Sequence, residues 1–143
     1  MSADRIEIEN DTIRALFEAA AIVRAQAHAP YSGYRVGAAV LDDQGDTWLG
    51  CNVENASYPE GSCAETAAIA AMVAGGGQRI QHVVIAGGHD AIEPCSPCGG
   101  CRQRISEFAD GDTQVWLMEA NGTLTAYSVA DLLPAGFTLV DKR

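Results

Sequence analysis

Two short cysteine-bearing segments constrain this 143-residue chain more than any other feature of its sequence. The first is Cys63-Ala64-Glu65, the second runs from Pro94 to Cys101, and each lies where a loop enters a predicted helix. The start of a helix presents free N–H groups and a partial positive charge, which favour a thiolate over a thiol. Two such helix starts, placed side by side, would offer soft ligands to a single Zn²⁺ ion.

The second segment contains two overlapping Pro-Cys-x-x-Cys motifs, and only one of them suits the start of a helix. Between Cys95 and Cys98 lies Pro97, which lacks an N–H and biases Ser96 away from helical geometry. Between Cys98 and Cys101 lie two glycines, and the helix that follows puts both thiols on one face of its first turn. Cys95 is then a spare thiol. The predicted zinc ligands are Cys63, Cys98 and Cys101.

Glu65 is the predicted catalytic residue. Three protein ligands leave the fourth position of zinc for water, which distinguishes a catalytic site from a structural one. A carboxylate beside that position can take a proton from water and hand it on. Two alternatives without catalysis stay open at this point: a redox-active cysteine pair, or a closed structural zinc site that also uses Cys95.

The remaining pattern predicts a single α/β domain over residues 1–143, with helices packed on the faces of a mixed sheet. The predicted order is αββαβαββα. Its elements are a helix that Asn10-Asp11 opens and Pro30 ends, strands at 35–41 and 46–53, a helix at 63–73, a strand at 80–86 buried on both faces, a helix at 98–108, strands at 115–119 and 124–127 around Asn121-Gly122, and a short helix at 128–133.

Charge and hydropathy exclude several classes of partner. The net charge is −10, from 19 acidic against 9 basic residues, so the surface should repel phosphate backbones, and no nucleic-acid polymer is expected as a partner. The chain has no apolar run of about 18 residues, so no membrane span is expected. Its charged start is unlike a signal peptide, and clustered cysteines suit metal binding in a reducing compartment, so a cytoplasmic location is predicted.

These motifs resemble the small cytidine deaminases, within the zinc-dependent nucleoside deaminases. The zinc deaminases are described by a His- or Cys-x-Glu element followed by Pro-Cys-x-x-Cys. The likeness extends from about Ala25 to Phe137 and includes Pro30-Tyr31-Ser32, Val36-Gly37-Ala38-Ala39, Gly50-Cys51-Asn52-Val53-Glu54-Asn55-Ala56, Cys101-Arg102-Gln103 and Leu132-Leu133-Pro134.

That resemblance implies a fold and an activity. The implied fold has three layers, with a mixed five-stranded sheet between helices on both faces. The implied reaction is hydrolytic deamination of cytidine, and of 2′-deoxycytidine, to uridine or deoxyuridine plus ammonia, in pyrimidine salvage. One Zn²⁺ per subunit and a homotetramer with shared active sites are implied as well. The substrate is thus a small nucleoside.

The resemblance also implies the substrate contacts. Asn52 and Glu54 lie where the family holds the ribose hydroxyls, and Tyr34 lies at its aromatic position beside the pyrimidine. The other implied contacts are the backbone N–H of Ala64, facing the carbonyl oxygen of the base, and Phe137 and Tyr58, both similar to residues used across subunits. By residue type alone, Tyr34 and Phe137 could equally be core aromatics, and Asn52 a turn former.

Thr66 departs from the family pattern. Many members with three cysteine ligands carry arginine immediately after the catalytic glutamate, but here that residue is Thr66. Three thiolates and Zn²⁺ sum to −1, so a positive partner is expected from the helix starts, the N–H groups near Gly99 and Gly100, or Arg102. Otherwise Arg102 and Arg104 suit a solvated or salt-bridged helix face. A modified nucleoside such as blasticidin S stays open as substrate, because its deaminase is similar in lacking that arginine.

Overall fold

The computed structural model describes residues 11–139 and contains one mixed five-stranded sheet. The strand order is β2-β1-β3-β4-β5, and every neighbouring pair is antiparallel except β3 and β4, which are parallel. The strands are β1 (Arg35–Asp42), β2 (Thr47–Cys51), β3 (Ile80–Gly88), β4 (Gln114–Met118) and β5 (Leu124–Ser128). The predicted mixed sheet is confirmed.

In the part of the chain that the structure describes, four helices accompany the sheet in the predicted order. They are α1 (Asp11–Arg24), α2 (Ala64–Ala74), α3 (Gly99–Glu107) and α4 (Val129–Leu132), with a 3₁₀ turn at Tyr58–Glu60. Within residues 11–139, no helix has the length and apolar character that crossing a membrane requires.

The core lies on both faces of the sheet, as the alternation along β3 makes plain. Val83 and Ile85 pack with residues of α2 and α3, whereas Val84 and Ala86 pack with residues of α1. Successive side chains of a strand point to opposite faces, so β3 is buried on both sides. The predicted three-layer arrangement, with helices on both faces, is confirmed.

The end of α1 differs from the prediction. The helix was expected to continue to Pro30, but it ends at Arg24. Residues 25–27 donate their N–H groups to carbonyls three residues earlier, which tightens the last turn. The His28 N–H then donates to the carbonyl of Asn52, beyond β2, at 3.1 Å. This long-range pairing competes with the helix and ends it before proline could.

A glycine in β2 allows α2 to approach the sheet closely. A Cβ atom built on Gly50 would lie 2.4 Å from the carbonyl oxygen of Ala64, so any larger residue would push the helix away. Ala64 is the first residue of α2. The contact therefore fixes the start of this helix against the end of β2.

Candidate active site

The start of α2 and the start of α3 bring three thiols together. Cys63 is the N-cap of α2, Cys98 is the N-cap of α3, and Cys101 lies in the first turn of α3. The three Sγ atoms all lie within 4.8 Å of one another, and those of Cys63 and Cys98 are 4.0 Å apart. The two helix starts thus lie side by side.

This cluster fits Zn²⁺. Zinc binds thiolates at about 2.3 Å in tetrahedral geometry, which separates the sulfur atoms by about 3.8 Å. The observed spacing needs little adjustment. Among residues 11–139, no other cysteine, histidine or carboxylate joins the group, so Cys95 stays outside it, and a closed site of four cysteines is not formed.

Burial and local hydrogen bonds set different pKa values for the free thiols. The backbone N–H of Cys101 donates to the sulfur of Cys98, which lowers the pKa of Cys98 below its ordinary value. Burial raises the pKa of Cys63, and burial together with the Glu65 carboxylate raises that of Cys101. Two of the three groups therefore resist ionisation unless a cation lies among them, as expected of a metal site whose ligands lose protons on binding.

Glu65 lies in the first turn of α2 and is only 4% exposed. Burial raises the pKa of its carboxyl group above the ordinary value. A carboxyl group with a raised pKa can both accept and release a proton near neutral pH. Glu65 and the thiols of Cys63 and Cys98 face the same cavity.

That cavity has a volume of about 320 Å³, which suits a small molecule. It opens between β1, the segment after β2, the start of α2 and the loop before α3. Most of the predicted substrate contacts lie along its wall: Tyr34, Asn52, Glu54, Tyr58 and Ala64. The wall also contains residues that were not predicted as substrate contacts, namely Val36, Val53, Ser62, Cys95 and Ser96.

Asn52 connects the cavity wall to β1. Its Nδ2 donates to the carbonyl of Tyr34 at 2.9 Å, and its Oδ1 accepts from the N–H of Val36 at 2.8 Å. An amide nitrogen carries two hydrogens, so one remains for a ligand. Asn52 therefore has a structural role, and this role is compatible with its predicted contact to the ribose.

Glu54 is held by three donors at the turn before β1. It accepts from the backbone N–H groups of Tyr31 at 2.9 Å and Ser32 at 3.2 Å, and from the hydroxyl of Ser32. The hydrogen bond from the Ser32 hydroxyl is the main cause that lowers its pKa. The carboxylate is thus ionised and oriented. Ser32 was missed in this role, although the Pro-Tyr-Ser motif had marked it.

Tyr34 and Cys95 form one wall of the cavity together. The Tyr34 hydroxyl donates to the Cys95 sulfur, and the Tyr34 ring stacks edge-on against His89 with centroids 5.0 Å apart. Burial is the main cause that raises the pKa of both groups. Cys95 was expected only to be a spare thiol. Here it is part of the wall, and the phenol is already paired.

The two aromatic residues predicted to act across subunits are both exposed. Tyr58 is 76% exposed and lies at the cavity mouth, edge-on to Tyr31 with centroids 6.0 Å apart. Phe137 is 71% exposed and does not line this cavity, and its backbone carbonyl accepts from the side chain of Gln103 at 2.8 Å. Their roles in a neighbouring subunit stay predictions.

The two arginines of α3 were expected on a solvated or salt-bridged face, and for Arg102 this was wrong. Arg102 donates to the carbonyls of Pro97 at 2.8 Å and Leu132 at 2.9 Å, and to the Ser96 hydroxyl at 2.8 Å. It therefore holds the loop before α3, and none of these three hydrogen bonds goes to a thiol. Arg104 is exposed, but its Nη1 lies 4.0 Å from the sulfur of Cys101. The spacing of three residues from Cys101 could have indicated this contact.

Comparison with known families identifies this arrangement. Residues 11–117 match the family described as "Cytidine and deoxycytidylate deaminase zinc-binding region". The chain belongs to this deaminase family. The match includes all three thiols of the cluster and Glu65, so Cys63, Cys98 and Cys101 are positioned to bind the zinc that the family description names.

Relatives and solved structures of the deaminase family match over most of the chain. A cytidine deaminase of Sporosarcina psychrophila is 40% identical over 82% of this chain and 85% of its own length. One of Halalkalibacterium halodurans is 39% identical over 90% of this chain and 96% of its own. The crystal structure of a cytidine deaminase from Burkholderia pseudomallei gives a TM-score of 0.78 at 39% identity, covering 87% of this chain and 98% of that one.

Proposed function

We propose that the protein is a zinc-dependent cytidine deaminase, which hydrolyses cytidine to uridine and 2′-deoxycytidine to deoxyuridine, with release of ammonia. The observation that carries this proposal is the buried Glu65, which shares one cavity with the sulfur atoms of Cys63 and Cys98. The relatives at 39% and 40% identity, which are named cytidine deaminases, support the same substrate.

The mechanism assigns proton transfer to Glu65. Zn²⁺ held by Cys63, Cys98 and Cys101 would supply a Lewis acid that makes water reactive at neutral pH. An Oε atom of Glu65 takes a proton from that water and delivers it to N3 of the cytosine ring. Glu65 then moves a second proton to the departing amino group. In total, the water oxygen bonds to C4, the bond between C4 and the amino nitrogen breaks, and ammonia leaves.

The cavity wall would orient the nucleoside for this transfer. The Glu54 carboxylate accepts from ribose hydroxyls, and the remaining N–H of Asn52 donates to one of them. The ring of Tyr34 packs beside the pyrimidine. The backbone N–H of Ala64 donates to the carbonyl oxygen of the base. A site built for hydroxyl groups discriminates strongly against ligands that lack them.

An ultraviolet assay of purified, zinc-loaded protein tests this function directly. Cytidine, 2′-deoxycytidine, blasticidin S and free cytosine are offered separately to one preparation. We expect cytidine to be consumed, as its absorbance shows, and an equal amount of ammonia to be released. The result for 2′-deoxycytidine should be similar, and free cytosine should be turned over little. Turnover of blasticidin S and of no other compound would show that the substrate is a modified nucleoside and would refute cytidine as the substrate. If no compound is turned over, the proposed function is refuted.

Glu54→Ala should lower kcat/KM for cytidine by about 100-fold, since hydrogen bonds to charged groups are worth about 1.5–3 kcal/mol. Steady-state kinetics with cytidine and free cytosine measure the effect, and cytosine, without ribose, should be turned over no more slowly than by the unaltered enzyme. Glu60→Ala, in the exposed 3₁₀ turn, removes a nearby carboxylate as a matched control. An equal loss on both substrates would contradict the assignment of Glu54 to the ribose.

We also propose that the protein is a homotetramer with shared active sites. Its support is apolar surface, both near the cavity and on α2. Tyr58 and Val53 are exposed at the cavity. On the outer face of α2, the Val73 side chain is 49% exposed. Apolar residues surround the later turns of α2, so a partner would bury what the sheet does not.

Subunit mixing tests the shared site. Glu65→Gln subunits are mixed with Phe137→Ala subunits, provided that each variant alone is inactive. If Phe137 serves a neighbour, hybrids should regain activity, because some sites then combine native Glu65 with native Phe137 from different chains. Light scattering measures the assembly. Either an active monomer or hybrids that stay inactive would refute the shared site.

The proposed reaction also suggests a pathway and a compartment. Uridine and deoxyuridine are the products expected of an enzyme of pyrimidine salvage. Thiolate ligands need to be kept reduced, which favours the cytoplasm as the compartment of this function.

A further inference from the structure

The proposed zinc site carries a net negative charge that the protein has to balance. Three thiolates and Zn²⁺ sum to −1 before any charge on Glu65 is counted. Such charge near a metal makes it a weaker Lewis acid unless donors or cations around the ligands offset it. The inference that follows rests on the proposed function, because it concerns the ligands of that zinc.

The two helices at the site are unequal as sources of positive charge. The sequence of α2 contains no basic residue, and the residue after Glu65 is Thr66, whose buried hydroxyl has no hydrogen-bond partner among the described residues. Helix α3 contains Arg102 and Arg104. The three hydrogen bonds of Arg102 go to backbone carbonyls and Ser96, whereas Arg104 contacts a thiol of the cluster.

Helix geometry directs Arg104 toward the cluster. Side chains of a helix lean toward its N-terminus, so a residue three positions after Cys101 covers the turn that contains that cysteine. The distance of 4.0 Å from Nη1 to the Cys101 sulfur agrees with this direction. The guanidinium therefore lies against the thiol cluster.

Gly100 leaves the space that the guanidinium occupies. A Cβ atom built on Gly100 would lie 3.0 Å from Nη1 of Arg104 and 4.0 Å from the sulfur of Cys98. The missing side chain at Gly100 thus leaves room for the guanidinium close to the sulfur of Cys98. Gly100 therefore does more than allow the backbone to turn.

We propose that Arg104 is a positioning residue of the zinc site. Its guanidinium places a positive charge beside Cys101 and so stabilises the thiolate cluster when the metal is bound. It supplies from α3 the positive charge that α2 lacks at Thr66. Arg104 was not among the expected sources of this charge, which were the helix starts, the N–H groups near Gly99 and Gly100, and Arg102. It also gives Arg104 a function that its exposed position would hide.

Zinc affinity tests the proposal without relying on turnover. Changes in groups around metal ligands typically cost about 10- to 100-fold in affinity, and solvent screens the exposed Arg104, so we expect about tenfold weaker zinc binding for Arg104→Met. Competition with a chromophoric chelator measures the dissociation constant. Arg104→Gln should weaken binding as much, whereas Arg104→Lys should retain most of the affinity, because charge is what matters.

Two further measurements separate this role from a structural one. Arg79→Met is the matched control, since it removes an equal charge that pairs with Asp110 at 3.7 Å, and it should bind zinc normally. Cobalt-substituted protein should show a shifted sulfur-to-cobalt charge-transfer band in Arg104→Met and an unshifted one in Arg79→Met. Thermal unfolding of the metal-free proteins checks that the Arg104 variants fold.

The outcomes are distinct for the two proposals. An unaltered protein that binds no zinc would refute the proposed function itself. If the unaltered protein binds zinc, but Arg104→Gln and Arg104→Met bind it equally well with an unshifted cobalt band, only the role of Arg104 is refuted. Binding by Arg104→Lys as weak as that of Arg104→Met would also refute it, since the lysine keeps the charge.

Discussion

Glu65→Gln is expected to lower kcat for cytidine by about 10²–10⁴-fold, the range that a general acid–base group contributes. Glutamine has nearly the same shape as glutamate but cannot take a proton from water or hand one to the ring. Zinc content should stay at one equivalent per subunit, because Glu65 is not one of the three clustered ligands. Initial rates with cytidine, beside metal analysis of the same preparation, measure both quantities.

The control for this variant is another carboxylate that lies outside the site. Glu107→Gln, at the exposed end of α3, makes the same chemical change and should leave the rate unchanged. Substantial turnover by zinc-replete Glu65→Gln protein would show that another group moves the proton. Loss of zinc from that variant would instead show that Glu65 is needed to bind the metal.

Cys101→Ala is expected to abolish stable zinc binding and, with it, activity. Only two thiols would remain, and a metal site that loses one of three ligands no longer holds its ion against a chelator. Cys95→Ala should bind zinc normally, although its loss removes the acceptor of the Tyr34 hydroxyl. Metal analysis after dialysis against a chelator compares the two variants.

These two cysteines form a matched pair, since Cys101 belongs to the thiol cluster, whereas Cys95 lines the cavity but lies outside the cluster. Thermal unfolding of both metal-free variants shows whether either change merely disrupts the fold. Zinc loss from Cys95→Ala together with zinc retention by Cys101→Ala would reverse the choice between the two overlapping motifs.

Much of the fold could be predicted from local chemistry. The hairpin at Asn121-Gly122 formed because Gly122 adopts a φ of 85°, which the turn requires and glycine tolerates. The continuous apolar run of β3 indicated burial on both faces, which the packing of α1 and α2 confirms. These predictions depend on a residue and its near neighbours, and that information is present in the sequence.

Long-range contacts decided the features that were predicted wrongly or missed. Helix α1 ends at Arg24 because His28 pairs with Asn52, a residue that no local signal connects to it. Arg102 donates to the carbonyl of Leu132, whereas Arg104 lies beside Cys101. The spacing from Cys101 could have indicated the contact of Arg104, but the residue type of Arg102 could not reveal its long-range partner.

By itself, the sequence determined which atoms could hold a metal and which could move a proton. Thiols at helix starts, Pro97 excluding the upstream motif, and Glu65 two residues after Cys63 are local facts of chain chemistry. Only the tertiary structure decided how closely the two helix starts meet, what the cavity wall contains, and which cation lies beside the cluster. Those properties depend on packing between elements far apart in the chain, where a single close approach, such as that of α2 over Gly50, fixes distances that no local pattern encodes.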